Sequence, residues 1–225
     1  MENDPPNRKL ARLVQVLDED IPSPEEAREA VARMGIDVGA VADNIRKQIM
    51  ENDSPHVKAL RAIHASDDVL AYASTHTTAQ EAWDKCKHPD WLAWLVARLD
   101  PRQGALVAYL CARSVAHLTG PHREEIERLL DQIEAWTRGD GMDLYPIRRR
   151  LWTIYGSGAY NSANSAAAAA ADAAVYAEAN TAKSVATAAG VAASAAASSL
   201  DEATGYYLCN LIRSAVPVCP LKVMP

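Results

Sequence analysis

From Ser162 to Ser199 the chain reads SANSAAAAAADAAVYAEANTAKSVATAAGVAASAAASS, and its polar residues do not fall at random. Placed on a wheel of about 100° per residue, Asn161, Ser165, Asp172, Tyr176, Asn180, Lys183, Thr187, Ser194 and Ser198 share a sector roughly 100° wide. That phase predicts helix with one solvent-facing stripe, and alanine has the best helix propensity. Asp172, Glu178 and Lys183 interrupt the run of about 20 apolar residues that a membrane span needs. The pattern therefore predicts buried helix, broken once at Gly190 or at the Asn180-Thr181 pair. Because alanine is small, a neighbouring helix can approach to the short end of the usual range of about 8–10 Å.

Similar punctuation recurs along the chain. Ser23-Pro24-Glu25-Glu26 combines a capping box with proline at the first helical position, and Gly35 is placed to end the helix that follows. Asp37 can begin another helix through VADNIRKQIM. Thr78-Ala79-Gln80-Glu81 is a second capping box, and Pro89, Pro101 and Pro121 each mark an expected helix start. No alternating β-branched run or Asn-Gly hairpin signal occurs. The expected fold is all-α, a multi-helix bundle or stack of roughly nine to eleven helices, with closely packed alanine-rich helices over residues 159–215.

Charge divides the chain. The sequence has 23 basic and 29 acidic side chains, and five of the six net negative charges lie within residues 1–55, which hold 12 acidic and 7 basic groups. Residues 1–54 are expected to form an acidic helical appendage to a domain spanning 55–225. Glu25, Glu26, Glu29, Asp37 and Asp43 are its candidate partner-binding residues, suited to a protein with a basic surface. The acidic balance argues against a nucleic-acid or anionic-membrane partner. No apolar signal-peptide core opens the sequence, so the cytoplasm is the expected location.

Catalytic and metal chemistry find little support. Cys86, Cys111, Cys209 and Cys219 show no CxxC spacing, and reduced, packed thiols are expected. The six histidines form no HExxH pair, and neither a GxSxG nor a phosphate- or dinucleotide-binding glycine pattern is present. His122 and Glu125 lie three residues apart at a helix start, but the next position on that face is Leu129. Cys86 and His88, two residues apart, diverge. Arg148-Arg149-Arg150 point about 100° apart and predict a solvated face with stems packed on Tyr145 or Trp152. Glu124, Glu127, Asp131 and Glu134 share another solvated side. The expectation is a protein that is not an enzyme and uses no cofactor or metal.

Large side chains concentrate in TAQEAWDKCKHPDWLAWLVARLD, residues 78–100, where Trp91, Trp94, Leu95 and Arg98 recur at helical spacing. In a chain without phenylalanine these tryptophans are expected in the core, the alternative being that one is an exposed binding anchor. The ordered residues Trp83, Cys86, Pro89, Trp91 and Trp94 resemble the signature of the bacterial immunity proteins described as immunity protein 5-like. ALVAYLCARSVAHL, with Cys111, is similar to that family's next helix, and IERLLDQIEAWTRGD, with Trp136, to the one after. The alanine tract and LCNLIRSAVP resemble its closing elements, so the likeness spans about residues 76–218. The motif residues are taken as structural. The resemblance implies a helical protein that binds and neutralises a toxin by stoichiometric binding. A helical regulatory or adaptor module, phage-borne ones included, that inhibits a host or defence protein is the alternative, and gene neighbourhood separates the two.

Overall fold

A computed structural model describes residues 37, 53–157, 161–200 and 202–221, with the side chains of 202–205 left aside. The chain divides into two compact units, residues 1–53 and 54–225. Asp37 is exposed, whereas the expected hairpin of residues 23–52, with Glu25, Glu26, Glu29 and Asp43, lies outside the described residues.

The described part is all-α, with no strand. Its helices are α1 (Pro55–Ala62), α2 (Asp67–Ser74), α3 (Ala79–Lys85), α4 (Pro89–Leu99), α5 (Pro101–Ser114), α6 (Arg123–Arg138), α7 (Tyr145–Gly156), α8 (Ser162–Glu178), α9 (Ala182–Ser198) and α10 (Glu202–Ala215). No helix among these residues is long and apolar enough to cross a membrane.

The helix boundaries follow local chemistry. Thr78 caps α3 by accepting from Glu81 N–H at 3.1 Å, and the Glu81 carboxylate answers by accepting from Thr77 N–H at 2.9 Å. Lys85 and that N–H together hold the Glu81 carboxyl down to about 2. Pro89 and Pro101 occupy the first turns of α4 and α5 as expected, and Asp100 caps α5 through Gln103 N–H. Pro121 departs from expectation. It sits in a 3-10 turn, Gly120–His122, and α6 begins only at Arg123. Gly120 has φ +66, a left-handed kink that separates the preceding 3-10 turn from this one.

The alanine tract breaks at the Asn180-Thr181 pair. Asn180 takes a left-handed φ of 52, and Thr181 N–H bonds back to Tyr176 C=O, closing a C-terminal cap that ends α8. Gly190 stays inside α9. Ten of the seventeen α8 side chains are buried, far more than one stripe of an ordinary surface helix, so α8 is central to the fold. α8 and α9 make the most extensive helix pair, and both pack on α5, while α9 also packs on α4. α7 lies against α8, α6 against α5 and α8, and α10 against α4 and α5. Trp83, Val96, Val107, Ile126, Ile133 and Ile212 fill this core together with the alanines. A smaller cluster of Val57, Leu60, Leu70, Ala73 and Leu221 sits beneath α1 and α2.

One approach is close enough to demand glycine. A Cβ placed on Gly104 of α5 would stand 2.2 Å from the Ala97 Cβ of α4, so the α5 backbone rests directly on Ala97.

Three arginines finish the fold from a distance. Arg98 donates to Ile63 C=O, Arg102 to Trp136 and Thr137 C=O, and Arg213 to Trp83 and Cys86 C=O. Each places a cation on carbonyls at another helix's C-terminal end.

Candidate aromatic binding face

α7 presents two faces. Ile147, Leu151 and Ile154 point into the core. Tyr145, Arg148, Trp152 and Tyr155 recur at i, i+3, i+7 and i+10, on the other side of the helix. Trp152 is 42% exposed and Tyr145 61%, a large aromatic area to leave in water.

The ring of Trp152 is nevertheless fixed. Its Nε1–H donates to Asp172 Oδ1 at 3.0 Å, and Arg148 Nε donates to the same oxygen at 2.5 Å. The Asp172 side chain is only 14% exposed, so this pair is largely shielded from water, and the carboxylate raises the Arg148 guanidinium further above its ordinary value. Arg148 also lies over the rings of Tyr145 and Tyr176, 5.9 Å from each centroid. Tyr155 meets Trp152 edge-on at 5.5 Å. Trp152 thus divides two open grooves. One, of about 540 Å³, runs between α7 and the α8–α9 hairpin, and the other, of about 590 Å³, lies over Tyr145, Arg149 and Thr153.

The polar stripe of the alanine helices lies along the first groove. Ser165, Asp172, Tyr176, Lys183 and Thr187 line it. Thr187 and the exposed Val191 also line a third groove, about 490 Å³, whose far wall is Trp91 and Trp94. α9 therefore forms a ridge of small side chains between two aromatic walls.

The residues of the family-like motif fall elsewhere. Trp83, Cys86, Pro89 and Cys111 are buried. Trp91 and Trp94 are half-buried at the margin of the core, a correction to their expected place within it. Their spacing places them on α4 where that helix turns toward the third groove, so one side of each packs inward and the other reaches solvent. Trp136 is half-buried beneath Arg102, whose guanidinium is 5.5 Å from its ring.

The groups weighed for catalysis are engaged in holding the fold. Cys86 Sγ–H donates to His88 C=O at 3.6 Å, burial pushes its thiol up, and the His88 ring stacks on Trp91 at 3.9 Å. Burial also pushes the Cys111 and Cys209 thiols up to about 12, the reverse of an activated nucleophile. Glu125 is held by Arg150 through two bonds, at 2.6 and 2.9 Å, which lowers its carboxyl. Of the acidic α6 face, Glu127 pairs with Arg123, Asp131 with Arg113, and Glu134 with Arg138 and the Tyr109 hydroxyl. Among the described residues no group of three or more His, Cys, Asp or Glu side chains is placed to hold a metal ion.

No protein-family model, curated protein or solved structure matches this chain.

Proposed function

We propose that this is a stoichiometric binding protein, and specifically an immunity protein that neutralises a cognate toxin by occluding it. The observation that carries the binding reading is Trp152, exposed at 42% yet pinned by Asp172, with Tyr145, Tyr155 and Val191 around it. Trp, Tyr and Arg are the residues in which binding energy concentrates, and a ring already held in place loses little freedom on docking. The ordered Trp83-Cys86-Pro89-Trp91-Trp94 motif, by its resemblance to immunity proteins, supports a toxin as the partner. The acidic residues of 1–54, Glu25, Glu26, Glu29, Asp37 and Asp43 among them, suit a basic area on that partner. Cytoplasmic interception of the toxin belongs to the same reading.

The full chain, purified from its native host, should retain one toxin in a 1:1 complex identified by mass spectrometry. Trp152→Ala should weaken that complex by about 30-fold or more, the cost of removing a hot-spot residue, with an unchanged melting temperature. Retention of a host or defence protein instead would move the assignment to a regulatory inhibitor. Undiminished binding by Trp152→Ala would remove the α7 face from the interface.

A further inference from the structure

The run Arg148-Arg149-Arg150 divides on α7. Arg148 is held by Asp172 and Arg150 by Glu125, so two of the three guanidiniums are neutralised. Arg149 is exposed and makes no ion pair or side-chain hydrogen bond among the described residues. It lines the groove over Tyr145 and Thr153, beside Trp152. On the other side of Trp152, in the groove between α7 and the α8–α9 hairpin, stands Lys183, likewise exposed and without a side-chain partner among the described residues.

These two cations are not offset locally. Asp172 is the only carboxylate lining either groove among the described residues; it is 14% exposed and already carries Arg148 and the Trp152 Nε1–H. Asp143, just before α7, accepts from the Tyr145 N–H at 2.9 Å. In a chain carrying six net negative charges, the exposed ring of Trp152 therefore stands between two uncompensated positive ones. Cations placed in this way draw in a negative partner and fix its register.

On the reading of α7 as the interface, we infer that this face receives a short acidic segment of the partner protein, with one apolar side chain lying on the Trp152 ring and a carboxylate on each side of it meeting Arg149 and Lys183. Carboxylates match both cations, the guanidinium through two parallel bonds and the ammonium as a point charge. The apolar side chain follows from the ring, whose one polar group, Nε1–H, is already spent on Asp172. A nucleic acid fits less well. Two cations neutralise two phosphates at most, and the acidic balance of the chain repels a longer polyanion. A toxin that also offers a basic area to residues 1–54 carries both signs of charge.

The acetylated, amidated peptide EELEE is the probe. Its titration into the full chain is followed through the indole N–H resonances of the five tryptophans, with Trp152 assigned by loss of its signal in Trp152→Phe. The Trp152 resonance should shift and saturate while the buried Trp83 stays still. Affinity should fall by about two- to fivefold in Arg149→Gln and again in Lys183→Gln, both surface changes that leave the melting temperature unchanged. From about 0.01 M to about 0.15 M salt the screening length shortens from about 30 Å to about 8 Å, and wild-type affinity should drop more steeply than that of the double variant. A lack of saturation by about 10 mM overturns the assignment, as does equal binding of KKLKK or tighter binding of oligothymidylate. So does a Trp152 shift with protein concentration alone, which would mean that a second copy takes the face. The complex from the native host should weaken with Trp152→Ala and with the double variant. Weakening with Trp152→Ala alone keeps α7 as the interface and rejects the acidic segment, whereas a complex indifferent to Trp152→Ala rejects the interface itself.

Discussion

In the α8–α9 hairpin the buried surface is almost entirely alanine, whereas at the α3–α4 corner the large side chains of Trp83, Leu92 and Val96 are buried beside Ala93 and Ala97. Both regions bury a core, but by different means. The hairpin packs mainly through methyl groups, and its two helices form the most extensive helix pair. The corner packs through the size of side chains, and there the fit is incomplete: a cavity beside Trp83 lies in this region. Close packing of small residues should tolerate deletion and resist addition, and packing of large residues the reverse.

The largest effect should come from truncation where side chains supply the packing. Trp83→Ala is expected to cost about 3–5 kcal/mol in urea unfolding, since the indole is fully buried. A loss below about 1 kcal/mol would mean that the corner relaxes around the gap and that the contrast is false. Next comes addition where the α5 backbone rests on Ala97. Gly104→Ala forces a Cβ to within 2.2 Å of Ala97 Cβ and should cost about 3 kcal/mol, the upper end of ordinary overpacking, with a matching fall in melting temperature.

Ala170→Leu and Ala174→Leu, both at positions with no exposed surface, should each cost about 1–3 kcal/mol although leucine is nearly as good a helix former as alanine. The exposed Ser194→Leu is the control, expected within about 0.5 kcal/mol. Equal melting temperatures for all three would show that the hairpin has slack. Trp94→Ala should cost only about 1–2 kcal/mol, because part of the ring already faces the groove shared with α9. The smallest effect has the opposite sign. A Cβ on Gly190 would meet its neighbours at ordinary distances, 3.6 and 3.9 Å, so Gly190→Ala should stabilise by about 0.4–1 kcal/mol through helix propensity and lost freedom of the unfolded chain. Destabilisation by this variant would show that α9 packs on α4 as tightly as α5 does at Gly104.

What could be read in the sequence was what is encoded locally. The capping box at Thr78, the prolines that open α4 and α5 and the polar stripe on the alanine helices all depend on residues a few positions apart, whereas the sequence leaves the break open between Gly190 and the Asn180-Thr181 pair. The arginine caps did not announce themselves, because Arg213 serves carbonyls 127 and 130 positions away and no periodicity reports such a contact. The site was half legible. Tyr145, Arg148, Trp152 and Tyr155 repeat on one α7 face, a stripe that the spacing carries, but the overlapping run of three arginines gives the same segment the pattern of a solvated charged face. That Asp172 would hold both Arg148 and Trp152 was out of reach, since it depends on how α7 is laid across α8. Trp91 and Trp94 are more exposed than their spacing predicts for a related reason: helical spacing assigns residues to a face without saying how deeply that face is covered.

The alanine hairpin has a further consequence, in entropy. Leucine, methionine or lysine lose rotamer freedom on burial, but alanine has none to lose, so ordering α8 and α9 costs little beyond fixing the backbone. The pair is joined by only Ala179, Asn180 and Thr181, so its contacts begin between near neighbours in the chain and the closing loop is short. Cheap to order and quick to close, the hairpin is where assembly of this unit can start, and α4 and α5, which rest on it, then have a preformed surface to condense upon.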